Sequence, residues 1–323
     1  MPLQKLLDAA ARAGASATAL LLAAACGGGS SSGLDHVLPL TAPPVPAVPV
    51  VPVVAPVVPS PAPSPGLPVT FQAAETVLGQ PNPDIDEANQ GQPQPGSHTM
   101  FFPVGLALTP TGGLLVTDAG NHRVLLFDSV PTTTGASAVE VLGQPGFETA
   151  GRSLSRSGLN QPSGVAVRDG RMVVADPLAH RVLVYDRIPG PGAEMPEPVA
   201  VIGQPGFESG DPACTRAGLA FPSSVFITRT GQLIVADAWN HRVLVWDAVP
   251  ATQEAVGPPT QVVGQRLLNS CIRNDDDESG QEDFDPRTGL SVASARTLRF
   301  PSGVWSDGIR LVVADTANHR VLV

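Results

Sequence analysis

Residues 233–250 read LIVADAWNHRVLVWDAVP, and the same sentence returns as LLVTDAGNHRVLLFDSVP from Leu114, MVVADPLAHRVLVYDRIP from Met172 and LVVADTANHRVLV from Leu311. Each copy is an aliphatic, β-branched run, a polar Asp-x-x-Asn/Ala-His-Arg turn and a second apolar run, the pattern of a hairpin inside a repeating sheet.

Working outward from the second copy, four apolar runs lie at residues 164–167, 172–175, 181–185 and 198–202. They are separated by Asp169-Gly170, the turn from Asp176 to His180, and a Pro/Gly-rich loop, all of which break a ladder or favour tight reversal. The first run recurs at Phe102, Phe221 and Phe300, and the fourth as VEVLGQP from Val139 and TQVVGQR from Thr260. Four short strands repeated at intervals of about sixty residues describe an all-β propeller blade.

The set resembles the NHL repeat family of β-propellers, here with Asn-His-Arg at Asn121, Asn240 and Asn318 and Ala-His-Arg at Ala179. The resemblance covers the chain from about Glu75 onward and implies four-stranded blades, about four in this chain, where the family generally has six. A further fourth-strand element, ETVLGQP, stands at residues 75–81, and the last copy ends on its third strand at Val323. The expectation is that residues 75–81 complete the last blade and close the ring, since pairing removes open edges. A truncated six-bladed propeller is the alternative history.

Three segments precede or make up this domain: 1–25, 26–70 and 71–323. The first has a basic start, with Lys5 and Arg12, and an Ala/Leu-rich run too short to span a membrane, which reads as an export signal. Its end, LLLAAAC, resembles the lipobox of bacterial lipoproteins, which implies a lipid on Cys26 and places the protein at the bacterial cell envelope, on the outer membrane or cell surface. Residues 39–68 are nearly all Pro, Val and Ala. Frequent proline fixes φ and removes ladder donors, so this stretch is expected as a polyproline linker reaching about 90 Å at ~3.1 Å per residue.

Cys214 and Cys271 fall in the loops after two consecutive Gly-Gln elements. In an exported chain they are candidates for a disulfide, although sequence does not tell whether their Cα atoms come within bonding distance.

Strands alternate direction within a blade, so the second-to-third turns and the long crossovers between blades share one face. Loops on a rigid scaffold are where binding concentrates, and any ligand site is expected there, with Trp239, His122, His180, His241 and His319 as candidates. The histidines recur with Asp118, Asp176, Asp237 and Asp315 in every blade, which favours a role in the turn itself, Asp accepting from turn amides and Asn adopting the left-handed conformation. Trp239 stands where the other copies have Gly120, Leu178 and Ala317, so it is a feature of one blade only.

One non-repeating stretch, NDDDESGQEDFDPRTG at residues 274–289, holds seven acids beside Arg273 and Arg287. They account for half of the formal net charge of −10. Asp275, Asp277, Ser279 and Gly280 resemble the opening of a calcium-binding EF-hand loop, with Asp283 at its ninth position. The twelfth position is Pro286 instead of Glu, and a solvated acidic loop is the alternative.

These features point to a non-enzymatic binding or scaffold module at the envelope, with an envelope protein, peptide or glycan as partner and calcium as the one candidate cofactor. The alternative is a propeller enzyme, since some NHL propellers are metal-dependent lyases and other propellers are lactonases. Nucleic acid is not expected: the chain is acidic, and Lys5 is its single lysine, so the long-range attraction to phosphates is lacking.

Overall fold

A computed structural model describes residues 73–190, 192 and 195–323. The export signal, Cys26 and the proline-rich stretch lie outside the described residues. Between Pro103 and Leu322 the backbone forms fifteen strands among the described residues, arranged as three four-stranded antiparallel sheets and one of three strands. The first blade is β1 (Pro103–Leu108), β2 (Leu114–Asp118), β3 (Arg123–Phe127) and β4 (Glu140–Leu142). The second is β5 (Gly164–Arg168), β6 (Arg171–Asp176), β7 (Arg181–Tyr185) and β8 (Ala200–Ile202). The third is β9 (Pro222–Ile227), β10 (Leu233–Asp237), β11 (Arg242–Trp246) and β12 (Gln261–Val263). The fourth holds β13 (Pro301–Ser306), β14 (Leu311–Asp315) and β15 (Arg320–Leu322). The architecture is a β-propeller of four blades.

Each blade follows chain order across its sheet, because every connection within it is a hairpin. The repeated sentence supplies the second and third strands, and in the first three blades these are buried on both faces. That explains why their residues are continuously apolar instead of alternating: one face packs on the preceding blade and the other on the following one. Leu115, Val124 and Leu126 of the first blade thus meet Met172, Val174 and Leu183 of the second. Val173, Val182 and Val184 meet Val225, Val235 and Leu244 in the next interface.

The inner strands approach most closely. β1 lies beside β5, β5 beside β9 and β9 beside β13, and Ser163 and Ser223 each donate a hydroxyl hydrogen bond to the next inner strand, at Ser223 O (2.8 Å) and Pro301 O (2.9 Å). A Cβ at Gly105 would stand 2.5 Å from Ser163 O, so the first inner strand reaches its neighbour only because that residue has no side chain.

Two expectations about the ends are corrected. Residues 75–81 form no strand and do not complete the last blade. Instead Val77 pairs with the first blade's own loop, accepting from Gly135 N at 3.0 Å and donating to Thr134 Oγ1 at 3.2 Å, while Leu78 packs with Met100 and Phe127. The segment covers the apolar leading face of the first blade, and that local burial holds it away from β15. The described blades accordingly form an open arc. Leu106 of β1 is 67% exposed, whereas its counterparts Val165 and Val225, each facing a preceding blade, are 7% and 6% exposed.

Tyr185, fully buried on β7, leaves its hydroxyl without a hydrogen-bond partner among the described residues. Phe127 occupies the same place in the first blade, and Trp246 in the third satisfies its indole N–H on Gly257 O at 2.9 Å. An unpaired buried hydroxyl costs about 1–3 kcal/mol. Tyr185→Phe is therefore expected to raise stability by ~1 kcal/mol in urea unfolding, and a loss of similar size would show that the hydroxyl is bonded.

Candidate functional site

The turn face is built from one repeated cluster. In each blade the Asp ending the second strand stands opposite the Arg beginning the third, as in the Asp237↔Arg242 and Asp176↔Arg181 pairings. Asp Oδ2 then accepts from Arg Nε at 2.7 Å in the first and third blades, 2.9 Å in the second and 2.8 Å in the fourth. Asp Oδ1 accepts the backbone N–H that leads into the first strand of the same blade, from Phe101, Asn160, Ala220 and Arg299 at 2.6–2.7 Å. The Asp thus ties the entry of its blade to the turn, and does not serve the turn amides as expected. Burial pushes Asp176 and Asp237 up to about 6 against the pull of their arginines, leaving both ionised at neutral pH.

Arg123, Arg181 and Arg242 are fully buried. Besides its carboxylate, Arg242 donates to Thr215 O and Gly218 O in the crossover entering its blade and to Leu268 O in the crossover leaving it. Arg181 does the same with Gly158 O and Phe207 O. The guanidinium's fan of five donors suits this use, and these three arginines form no basic ring at the surface.

The histidines join one blade to the next. His122, His180, His241 and His319 adopt the left-handed conformation, with φ between 49° and 54°, while the preceding Asn or Ala sits in a 3-10 turn. The left-handed residue is therefore His, not Asn. In the first three blades His Nδ1 accepts from the backbone N–H opening the next inner strand, at Gln161 (3.1 Å), Phe221 (3.0 Å) and Phe300 (3.1 Å). Burial, helped by Arg152 beside His122 and by Arg273 and Arg299 beside His241, lowers both rings to about 4. They are neutral acceptors at physiological pH.

Trp239 is half-buried, stacked on Phe221 at 5.1 Å and tilted against His180 at 5.5 Å. With Phe300, Leu178 and Ala317 it forms an apolar cluster at the turn end of the inner strands, so its larger ring fills space between blades.

The Gly-Gln elements that close the fourth strands have a role that spacing alone did not reveal. Gly143, Gly203 and Gly264 take φ near +90°, and a Cβ on any of them would strike Leu159, Leu219 or Leu298. The following glutamines, Gln144, Gln204 and Gln265, donate to the histidine carbonyl of their own blade and to a crossover carbonyl seven residues on. The recurrence of Gly-Gln was the signal: a residue needing positive φ beside a side-chain amide that staples the loop.

With the repeat committed to framework, the variable chemistry lies in the crossovers. Cys214 and Cys271 form a disulfide with Cα atoms 6.2 Å apart, joining two consecutive crossovers. Along the free edge of β4 a cleft of about 960 Å³ opens beneath the crossover at residues 146–160, where Gln144, Glu148, Arg152, Ser153 and Ser157 face Pro93 and Glu197. In the acidic crossover, oxygens of Asp275, Asp277 and Asp283 lie within 4.8 Å of one another, the single such group among the described residues. Ser279, the fourth expected ligand, donates its backbone N–H to Asp277 Oδ1 at 2.9 Å.

The NHL repeat family matches residues 102–127 and 219–246, the first three strands of the first and third blades. At those residues the chain carries NHL-type repeats, within a four-blade β-propeller. Among solved structures it is similar to the crystal structure of an auxiliary nutrient binding protein from Bacteroides thetaiotaomicron VPI-5482, at 15% identity and a TM-score of 0.42, over 67% of this chain and 46% of that one. The chain spans less than half the length of that protein. No curated protein matches it.

Two outcomes test the framework. Arg242→Met strands Asp237 and three carbonyls in the interior, and is expected to cost about 3–5 kcal/mol in urea unfolding; Arg320→Met, whose side chain is 26% exposed, should cost clearly less. The rings of His122 and His241 are expected to titrate near 4 by NMR. Because the folded value lies below the ordinary 6.5, each contributes stability that is complete above 6.5 and is lost as pH falls toward 4. A midpoint near 6.5 for either ring would show that the ring is not buried between the blades.

Proposed function

We propose that this propeller is a binding module of the bacterial cell envelope, anchored through a lipid on Cys26, and that it takes an extended peptide of an envelope protein in the cleft beside β4. The observation that carries this reading is the cleft itself. It brings Val141 and Leu142 of β4, the outermost strand of its sheet, beside side chains that the repeat does not require, Glu148, Arg152, Ser153 and Ser157. An open edge offers main-chain hydrogen bonds to an added strand, and neighbouring polar side chains supply specificity. Arg152 would receive a carboxylate and Glu148 a basic group.

The support for the anchor is the LLLAAAC run before Cys26, and the Pro/Val-rich residues 39–68 would hold the propeller away from the membrane. The propeller supplies rigidity, with inner strands and crossovers bonded from blade to blade, so that a ligand meets a site largely formed beforehand.

The test is a pull-down from solubilised envelope with the full chain, followed by peptide arrays of the captured proteins. Arg152→Glu is expected to weaken peptide binding at least about tenfold, the equivalent of ~1.4 kcal/mol, without changing the melting temperature. Capture by glycan columns that is indifferent to this substitution would overturn the peptide reading. Palmitate labelling of cells should mark the wild-type chain and not Cys26→Ser; equal labelling of both would overturn the anchor.

A further inference from the structure

We propose that the first blade receives the fourth blade of a second copy of this chain, and that residues 75–81 supply that blade with its outermost strand. This surface is separate from the cleft beside β4 and does not rest on the peptide reading.

On the first blade, residues 75–81 occupy the place that a fourth strand takes on the blade after its own. Gly79 has φ +84° and its missing side chain leaves room for Met100, as Gly143, Gly203 and Gly264 do for Leu159, Leu219 and Leu298. Gln80 donates to Glu87 O, seven residues on, at 2.9 Å, as the other three glutamines do to their own crossovers. The outer contact repeats as well. Val77 is bonded to the third-to-fourth connection of the first blade; Glu140 of β4 is bonded to Gly192 in that of the second, and Val201 of β8 to Gln253 in that of the third.

What this segment lacks is the rest of its blade. Gln144, Gln204 and Gln265 each donate a second bond, to the histidine carbonyl that precedes the neighbouring third strand. Gln80 makes no such bond among the described residues. The inner part of the same face stands open, with Val104, Leu106 and Leu108 of β1 49%, 67% and 63% exposed. Leu106 and Leu108 pair with Val116 and Leu114, which belong to the apolar cluster that Leu78 covers, so the covered and the open parts are one continuous surface. Ile227, the counterpart of Leu108 that packs on the second blade, is 5% exposed.

The fourth blade carries the opposite deficit. It has three strands among the described residues, and β15 is paired with β14 and not with residues 75–81. Its outward face shows Trp305 and Val321, 51% and 63% exposed, whereas Val124, Val182 and Val243, in the place of Val321, are at most 1% exposed because the following blade covers them. Units that pack in one way three times thus present the two halves of that same interface at opposite ends, which is a heterologous, head-to-tail surface that a second copy completes. In the first blade Val124 and Leu125 pair with Leu142 and Val141. By the same register Val321 and Leu322 pair with Leu78 and Val77 of the other copy, and Gln80 reaches the carbonyl of His319. Two such contacts join two copies into a ring of eight blades, within the range of about four to eight that propellers use.

The experiment follows the mass of the full chain by sedimentation equilibrium from about 1 to 100 µM, with circular dichroism as the check on folding. Twice the monomer mass is expected at the top of this range. Leu106→Asp and Val321→Asp, both at exposed positions, should each leave the fold intact and weaken association at least about hundredfold. Mixed in equal amounts, the two variants should associate again, because the intact fourth blade of the first meets the intact first blade of the second. A monomeric wild-type chain, association that either variant keeps by itself, or a mixture that stays monomeric would each overturn the proposal. A wild-type monomer whose melting temperature falls in both variants would assign the surface to the chain's own fourth blade instead.

Discussion

The structure depends on a buried ion pair repeated in every blade. Each Asp–Arg contact sits at the end of a hairpin whose two strands are apolar on both faces, and in three blades neither charge reaches solvent. Ion pairs buried to this extent are weak sources of net stability, because desolvation offsets most of their attraction. Their value here is positional. The carboxylate takes the backbone entering the blade, and the guanidinium takes carbonyls from the crossovers on either side, so loops of very different sequence leave the sheet from the same place.

That arrangement explains how a repeat carries varied loops. The histidine accepts a hydrogen bond from the next blade, the glutamine of Gly-Gln staples the crossover back to the histidine carbonyl, and the glycine before it lets a leucine seat beneath. These contacts use backbone atoms of the crossovers and tolerate any side chain above them. The acidic insertion of the third crossover and the serine-rich first one are held by the same anchors. Polar residues that recur are thus spent on framework, and the residues free for chemistry are those that differ between copies.

Much of this was legible in the order of residues. Alternating apolar runs and turn signals placed the strands within a residue or two, because a strand buried between two blades must be continuously apolar and a hairpin must break at polar residues. Recurrence also marked the Asp-x-x-Asn-His-Arg turn as structural. Tertiary structure assigned the roles within it: His, not Asn, takes positive φ, and Asp serves a backbone amide sixteen or seventeen residues earlier. Local propensity could not show this, since the amide arrives through the packing of another segment.

The same division holds at the ends of the chain and in its loops. Residues 75–81 look like a fourth strand because they share the VLGQP sentence, yet which edge they meet depends on where an apolar surface stands uncovered. Leu78 finds it on the first blade. Likewise the sequence lists seven acids in one loop, and only the folded backbone sorts them into four that meet arginines and three that face one another. Periodicity is a local property, written in each copy and readable there. Proximity between loops is decided by the curvature of the whole arc, which no single copy encodes.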